Sequence, residues 1–245
     1  MAQYHDGSIK SQGVSIITCT NRRGYMRNLI NNYKRQRHPK KELIIIINCN
    51  SIPLAPYRKL TAGIQNIRIY QLPERYTLGA CLNYAVDKAN YSCIAKFDDD
   101  DYYAPYYLTE SLETLKRAKA DVLGKKAHYM YLRGSKKLLL RFQQYENRQT
   151  KLLPGATLVF KRSVFNKVRF PNRNVGEDDL FCLRSRRAGY KVYSGSRYNF
   201  AAIRRKNSAN HTWIISDREL ISHHKIIPGV RSFRKFVQKP PQGKM

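Results

Sequence analysis

Residues 93–101 have the sequence Cys-Ile-Ala-Lys-Phe-Asp-Asp-Asp-Asp, in which a short, mostly apolar run is followed at once by four aspartates. The apolar run is bounded and too short for a helix, so it predicts a buried strand over residues 93–97. Four adjacent carboxylates repel one another unless a cation or strong hydrogen-bond donors compensate them. In open parallel sheets, ligands bind beyond the carboxyl ends of the strands. The segment therefore predicts a central strand with a ligand site at its end.

The first half of the chain alternates short apolar runs with helical patterns. Strands are predicted at 14–18, 43–47, 67–70 and 93–97, and helices at about 26–33, 57–62 and 78–89. This β-α-β-α-β-α-β order predicts a mostly parallel central sheet with helices on both faces.

The order of predicted strands and helices changes after the aspartates. A helix is predicted from Pro105 to about 119, a hairpin over 127–132 and 137–142, a strand at 158–160 and a helix at 179–188. We therefore expect one α/β domain with a mixed second half over residues 14–231. It would divide into two halves, at about 14–104 and about 105–231. Residues 1–13 are expected to form a flexible N-terminus and 232–245 a basic flexible tail.

Composition sets the broad class of the protein. The 245 residues are 42% hydrophobic, which is enough for a sizeable core and excludes global disorder. There is no run of about 20 apolar residues that would predict a membrane span, and no apolar segment follows Met1. The five cysteines are scattered and odd in number, which is typical of reduced thiols in a cytosolic protein.

The charge is strongly asymmetric, with 46 Lys and Arg against 17 Asp and Glu and a formal net charge of +29. Such a charge indicates a nucleic acid, an anionic lipid or an acidic polymer as partner, or else only a solvated basic surface. The position of the few acids is more informative. Four of them form the run at 98–101, and Glu177, Asp178 and Asp179 form a second cluster before a predicted helix.

Each acidic cluster has two interpretations. Aspartates before a helix stabilise its N-terminus, which would explain one or two of them but not four after an apolar strand. For the second cluster, helix capping and a functional role are equally compatible with the residues. Together the clusters supply what glycosyl or phosphoryl transfer requires, namely carboxylates for Mg²⁺ or Mn²⁺ and another carboxylate for a proton.

Four motifs, in order, resemble the family 2 glycosyltransferases of the GT-A fold. They are Val-Ser-Ile-Ile-Thr-Cys-Thr-Asn at 14–21, Leu-Gly-Ala-Cys-Leu-Asn at 78–83, the aspartates at 98–101 followed by Tyr-Ala-Pro at 103–105, and Gly-Glu-Asp at 176–178. The resemblance extends over about 14–213 and is strongest to small bacterial members of spore-coat type. It implies an inverting enzyme with a nucleotide-sugar donor and a divalent metal, Mn²⁺ or Mg²⁺. It also implies that the half at about 14–104 binds the nucleotide and that the half at about 105–231 binds the acceptor.

The resemblance also implies roles for individual residues. Asp98 and Asp100 match the two acids of the D-x-D motif, with Asp100 as the direct metal ligand and Asp98 contacting ribose or metal. Asp178 matches the catalytic base, and His211 is similar to a late histidine that completes the metal shell. The remaining residues expected at the nucleotide sugar are Thr20, Asn21, Asn48, Gly79, Asn83 and Asp99.

Two positions depart from the family pattern. Asn48 stands where the second strand usually ends in an aspartate that accepts a hydrogen bond from uracil. An amide both donates and accepts, so UDP- and dTDP-sugars are the expected donors without a firm choice of base. Cys19 replaces a proline that is common in the first motif.

Two other classes of function compete with this interpretation. A basic nucleic-acid-binding module would use the tyrosines and arginines but leaves both acidic clusters unexplained, so no nucleic-acid partner is expected. A metal-dependent nucleotidyl or phosphoryl transferase would use the aspartates, yet the sequence has no phosphate-cradling glycine loop. The expected acceptor is an anionic glycan, a lipid-linked precursor or an acidic coat polymer. The expected location is cytoplasmic, in contact with an anionic membrane or spore surface where the acceptor requires it.

Overall fold

The computed structural model describes residues 12–206 and 215–241. Its strands are β1 (Val14–Thr20), β2 (Lys41–Ile47), β3 (Ile67–Gln71), β4 (Cys93–Lys96), β5 (Tyr102–Tyr103), β6 (Val122–Gly124), β7 (His128–Leu132), β8 (Lys137–Arg141), β9 (Arg148–Gln149), β10 (Val159–Lys161), β11 (Val192–Ser194), β12 (Phe200–Arg204) and β13 (Lys225–Ile227). Its α-helices are α1 (Met26–Lys34), α2 (Ala55–Thr61), α3 (Leu78–Asp87), α4 (Tyr107–Arg117), α5 (Glu177–Arg187), α6 (Asp217–His223) and α7 (Phe233–Val237).

The larger sheet has the strand order β3-β2-β1-β4-β10-β6-β11-β9. β1 pairs in parallel with β2 and β4, and β2 with β3, which confirms the parallel half predicted from the sequence. β10 then pairs antiparallel with both β4 and β6, so the second half of the sheet is mixed. The carboxyl ends of β1 and β4 lie side by side, and the loops that follow these two strands meet there.

Helices cover both faces of this sheet because its central strands are apolar on both sides. In β2, Ile45 and Ile47 belong to a core with α1, α2 and α4, whereas Ile44 and Ile46 belong to a core with α3 and α5. All four isoleucines are fully buried. A strand buried on both faces is apolar throughout, as residues 43–47 are.

The predicted hairpin forms the centre of a second sheet, with the strand order β13-β8-β7-β12-β5. β7 and β8 pair antiparallel from His128 with Arg141 to Leu132 with Lys137. β5 directly follows the aspartate run and pairs with β12. The second sheet therefore adjoins the loop after β4.

The charge of residues 232–245 predicts a flexible tail. The structure describes this segment up to residue 241, and there it is not a flexible tail. It forms α7, which buries Val237 completely and stacks Phe233 on Tyr131 with ring centroids 4.4 Å apart. Asn199 exchanges two hydrogen bonds with the backbone of Lys239, at 2.8 and 3.0 Å. Two apolar residues four positions apart give this basic segment one face that packs on the domain.

Within 12–206 and 215–241, no helix has the length and hydrophobicity needed to cross a bilayer. Residues 1–11, most of the predicted flexible N-terminus, lie outside the described residues, as do 207–214 and 242–245.

Candidate active site

The aspartate run is a fixed loop at the end of β4. The Asn28 amide donates to the carbonyls of Asp99 and Asp101, at 2.7 and 2.9 Å, and Asn32 donates to Asp101 at 2.9 Å. The Asp98 N–H donates to the Tyr103 hydroxyl at 2.8 Å. Two amides on α1 thus hold the backbone that presents the carboxylates.

The four carboxylates alternate between buried and accessible positions. Asp99 has 2% of its surface exposed, and Asp101 is buried and accepts a hydrogen bond from the Ile203 N–H at 2.8 Å. Burial, with the charges of Asp100 and Asp98, raises the pKa of Asp101 well above its usual range. The side chains of Asp98 and Asp100 are 37% and 14% exposed. The loop therefore presents the first and third acids, which is the D-x-D spacing.

Asp99 supports neighbouring side chains, and the nucleotide-sugar contact expected of it from the sequence stays a prediction. Its carboxylate accepts hydrogen bonds from the Thr20 hydroxyl and from two nitrogens of Arg22. Burial raises the pKa of Asp99 against the opposing charge of Arg22. Thr20 and Asp99 together orient Arg22, and Arg22 also contacts Asp100 through Nη1 at 2.9 Å.

A second cationic group lies beside the first carboxylate. The Lys96 ammonium, on the buried strand β4, lies 2.5 Å from Asp98 Oδ1. Burial opposes the charge on Lys96, but the carboxylates of Asp98, Glu177 and Asp178 raise its pKa above the usual range. Lys96 therefore interacts with both acidic clusters, which brings the two sequence motifs together in space.

The second cluster begins α5. Gly176 precedes the helix with a positive φ of 72°, a conformation that favours glycine. Asp178 is half-buried, and its Oδ2 accepts from the Gly155 N–H at 2.7 Å while its Oδ1 accepts from the Asp179 N–H at 2.9 Å. A Cβ on residue 155 would lie 2.8 Å from Asp178 Oδ2, so this approach requires a glycine. Asp178 is thus a half-buried carboxylate whose two oxygens are both oriented by backbone N–H groups.

Glu177 differs from Asp178 in its surroundings, since only 6% of it is exposed. Burial and the charge of Asp178 raise the pKa of Glu177 to about 7, although Lys96 opposes the shift. One carboxyl beside the oriented Asp178 therefore titrates near neutral pH.

Of the remaining predicted residues, Asn21 and Asn48 lie near strand ends, whereas Asn83 and Gly79 contact the segment before α5. Asn21 is exposed beside Arg22, and Asn48 donates through Nδ2 to the Pro73 carbonyl at 2.8 Å, so both stay near the ends of β1 and β2. Asn83 uses both ends of its amide on the backbone of Phe170, at 2.9 and 3.0 Å. Asn83 therefore anchors the segment that leads to Gly176, and its place beneath the diphosphate stays a prediction.

Gly79 serves the same anchor. A Cβ there would lie 1.8 Å from the Pro171 carbonyl oxygen, and the Gly79 N–H donates to the Arg173 carbonyl at 3.1 Å. Glycine lets the backbone of α3 approach the loop before α5, so Gly79 positions that loop, and its contact with the diphosphate stays a prediction.

Arg22, Arg205 and Lys96 are missing from the residues expected at the site. Arg205 Nη2 lies 3.9 Å from Asp100 Oδ2, and the guanidinium carbons of Arg22 and Arg205 lie 4.4 and 5.3 Å from the Tyr25 ring centroid. A lysine in an otherwise apolar strand was a usable signal for Lys96, because a buried ammonium requires acidic partners. Arg205 follows β12 with no local pattern that marks it.

The donor set fits a hard divalent cation only when a ligand contributes further oxygens. In the part of the chain that the structure describes, no group of three or more His, Cys, Asp or Glu could hold a metal. His211, the predicted additional ligand, lies outside the described residues. Mg²⁺ is commonly held by one or two carboxylates together with substrate phosphates, and the accessible carboxylates of Asp98 and Asp100 provide that number.

Comparisons with known proteins agree with this geometry. The model of the family described as glycosyl transferase family 2 matches residues 15–170. The O-antigen biosynthesis glycosyltransferase WbnJ of Escherichia coli is 30% identical over 148 residues, which cover 57% of this chain and 58% of that protein.

Two solved structures share the fold. TarS 1–349 of S. aureus superposes with a TM-score of 0.63 and 19% identity over 78% of this chain and 60% of that one. The mannosyltransferase PcManGT of Pyrobaculum calidifontis gives 0.60 and 18%, over 78% and 56%. The chain thus spans less than two thirds of the length of these relatives. Because the family model covers more than half of its residues and the solved structures share its architecture, the chain belongs to glycosyl transferase family 2 and has the GT-A fold.

Proposed function

We propose that the chain is an inverting, metal-assisted glycosyltransferase that uses a UDP- or dTDP-sugar, with Asp178 as the general base. The observation that carries this proposal is the convergence of Asp98, Glu177 and Asp178 on Lys96, at the carboxyl edge of the parallel strands. Nucleotide-sugar chemistry is also supported by the TarS structure with UDP-GlcNAc and the PcManGT structure with GDP-Man and Mn²⁺. The chain belongs to glycosyl transferase family 2, and no observation on the described residues favours the competing classes, a nucleic-acid-binding module or a phosphoryl transferase.

The donor side of the site consists of the loops after β1 and β4. Asp98 and Asp100 would hold Mn²⁺ or Mg²⁺, which would neutralise charge on the departing diphosphate. Arg22 and Arg205 place two guanidinium groups beside Asp100, where they can bind phosphate oxygens. Asn48, at the end of β2, is the expected contact for the base.

The acceptor side is the first turn of α5. Asp178 takes the proton of the acceptor hydroxyl while that oxygen bonds to the anomeric carbon and the bond from this carbon to the diphosphate oxygen breaks. The N–H groups of Gly155 and Asp179 fix both carboxylate oxygens. The acceptor is a hydroxyl of a glycan, of a lipid-linked precursor or of another molecule. The spore-coat resemblance and the cytoplasmic location stay predictions.

The base and the metal ligand are tested by two variants. We expect Asp178→Asn to bind the donor within a few-fold of wild type and to slow transfer by ~10²–10⁴, the usual contribution of a general base. Asp100→Ala should instead lose Mn²⁺-dependent binding of the nucleoside diphosphate in calorimetry. Transfer is followed as nucleotide release from a panel of UDP- and dTDP-sugars with alkyl glycosides as acceptors.

Asp179→Asn is the matched control, because Asp179 is an exposed acid on the same turn. It should transfer within a few-fold of wild type. Near-normal transfer by Asp178→Asn would remove Asp178 as the base. Unchanged metal-dependent binding by Asp100→Ala would remove Asp100 as a metal ligand.

A further inference from the structure

A cleft of about 720 Å³ lies between α5 and the segment that carries β9. It is lined by Lys126, Arg186 and residues 144–145, 148–152 and 189–192. None of the accessible carboxylates described above, Asp98, Asp100 or Asp178, lines it. The cleft is therefore separate from the donor side of the site.

The cleft is cationic. Arg148, Lys151 and Arg186 are exposed in it, Lys126 is half-buried, and its lining residues include no Asp or Glu. Glu146, which neighbours the lining, is paired with Arg197 through a hydrogen bond of 2.7 Å. With no carboxylate among these cations, the cleft favours an anion.

Not every lysine of the lining contributes its charge to the cleft. The Lys191 ammonium donates to the Ala118 carbonyl at 2.7 Å and is directed away from a ligand. Arg148 donates through Nη1 to the Gln144 carbonyl at 3.1 Å, but a guanidinium has five N–H groups and the side chain is exposed. Arg148, Lys151 and Arg186 are accordingly the side chains best able to contact an anion. Of the arginines at 184, 186 and 187 near the second acidic cluster, only Arg186 lines the cleft.

Aromatic side chains complete the lining. The Tyr145 side chain is 37% exposed, a large fraction for an aromatic residue, and Tyr190 is half-buried. Tyrosine combines a flat apolar face with a polar hydroxyl, which suits contact with a sugar ring and its hydroxyl groups. The combination of cations with exposed aromatic rings indicates a charged saccharide more than a simple inorganic anion.

The cleft and the proposed base share two segments of the chain, residues 148–155 and α5. Leu152 lies in the lining, and three residues later Gly155 donates its N–H to Asp178. Arg186 lies eight residues after Asp178 on α5, which is roughly 12 Å along the helix axis. A chain-like acceptor with its reacting hydroxyl at Asp178 would extend along this cleft.

We propose that the cleft is the acceptor subsite and that it takes an anionic glycan, one with phosphate or carboxylate groups along its chain. This inference rests on the proposed function, since it assigns the acceptor of the same reaction. It places the anionic groups on Arg148, Lys151 and Arg186 and the reacting sugar next to Asp178.

The test compares defined glycans by fluorescence anisotropy. The probes are fluorescein-labelled maltohexaose, the same hexaose carrying phosphate groups, and a hexagalacturonate, each titrated with the full chain. We expect at least one anionic probe to bind about tenfold or more tighter than maltohexaose, and the stronger of the two identifies phosphate or carboxylate as the group recognised. Its affinity should decrease with salt, because exposed charges are screened over about 8 Å at physiological ionic strength.

The triple variant Arg148→Gln, Lys151→Gln, Arg186→Gln should lower that affinity by about tenfold, in line with three exposed charge contacts. The double variant Arg148→Lys, Arg186→Lys keeps both positive charges and should therefore keep most of the binding.

The control removes the same charges elsewhere, through Arg58→Gln, Lys116→Gln and Arg162→Gln. These side chains are exposed and do not line the cleft. The control variant should bind within twofold of wild type.

Three outcomes would overturn the inference. The first is equal affinity for the neutral and anionic hexaoses. The second is an equal loss of affinity in the triple variant and in its control. The third is tighter binding of a twelve-nucleotide oligothymidylate than of the anionic glycans, with that binding dependent on the same three residues. Calorimetry of nucleoside diphosphate with Mn²⁺ distinguishes failure of the acceptor-subsite inference from failure of the proposed function. The cleft variants should keep nucleotide binding, whereas a wild-type protein that binds no nucleoside diphosphate would contradict the proposed function itself.

Discussion

Removing the charge of Glu177 should stabilise the protein, and the gain should grow with pH. Burial raises the pKa of Glu177 from 4.5 to about 7 in the folded protein. Between these values the folded protein retains a proton that the unfolded chain has lost. The free energy of unfolding therefore falls as the pH rises through this window. Glutamine resembles the protonated carboxyl and cannot lose that proton.

The magnitude follows from the two pKa values. Each tenfold change in an acid constant corresponds to about 1.4 kcal/mol, so the ionised Glu177 costs the fold about 3 kcal/mol at alkaline pH. Part of this cost is already present at pH 5, where the unfolded carboxyl is mostly ionised. We therefore expect the difference in stability between Glu177→Gln and wild type to increase by about 2 kcal/mol from pH 5 to pH 8.

Urea denaturation at several pH values, in buffer with a chelator, measures this difference. Other titrating groups contribute equally to both proteins and largely cancel. Glu219→Gln is the matched control, because Glu219 is exposed at the start of α6, and its difference from wild type should stay constant. A difference for Glu177→Gln that changes by less than about 0.5 kcal/mol would refute the reasoning. It would mean that Lys96 compensates the Glu177 charge fully.

Three further predictions concern positions fixed by packing. Asn83→Ala should lower the free energy of unfolding by about 1–3 kcal/mol, because it leaves backbone groups of Phe170 without partners; an unchanged urea midpoint would contradict the anchor. Gly155→Ala should reduce transfer more than donor binding, because the new methyl group would lie 2.8 Å from Asp178 Oδ2 and displace that carboxylate. Equal losses of transfer and donor binding would contradict an effect through Asp178. Val237→Ala should cost about 1–3 kcal/mol in urea, the usual range for a buried aliphatic truncation, and no cost would mean that α7 does not pack in solution.

The parallel half of the fold was predictable from the sequence because its signals are local. The isoleucines of β2 are consecutive, and the alternation of strands with helices leaves few topologies that bury them. The positions of both acidic clusters were predictable for the same reason. The tail from Ser232 was predicted wrongly, because its charge outweighs Phe233 and Val237 in composition although these two residues determine its packing.

The sequence also predicted Asp98, Asp100 and Asp178 as site residues through the spacing of their motifs, but not how each carboxylate is held. The partners of these groups come from distant segments. Gly155 and Asp178 are 23 positions apart, and Arg22 and Asp99 are 77 apart. Burial, ion pairing and pKa depend on groups within a few ångströms in space, and only the folded chain brings those groups together. The sequence by itself determined which acids are candidates for the site, whereas the tertiary structure decided that Asp98 and Asp100 are accessible, that Asp99 and Asp101 are buried, and that Lys96 joins the two clusters.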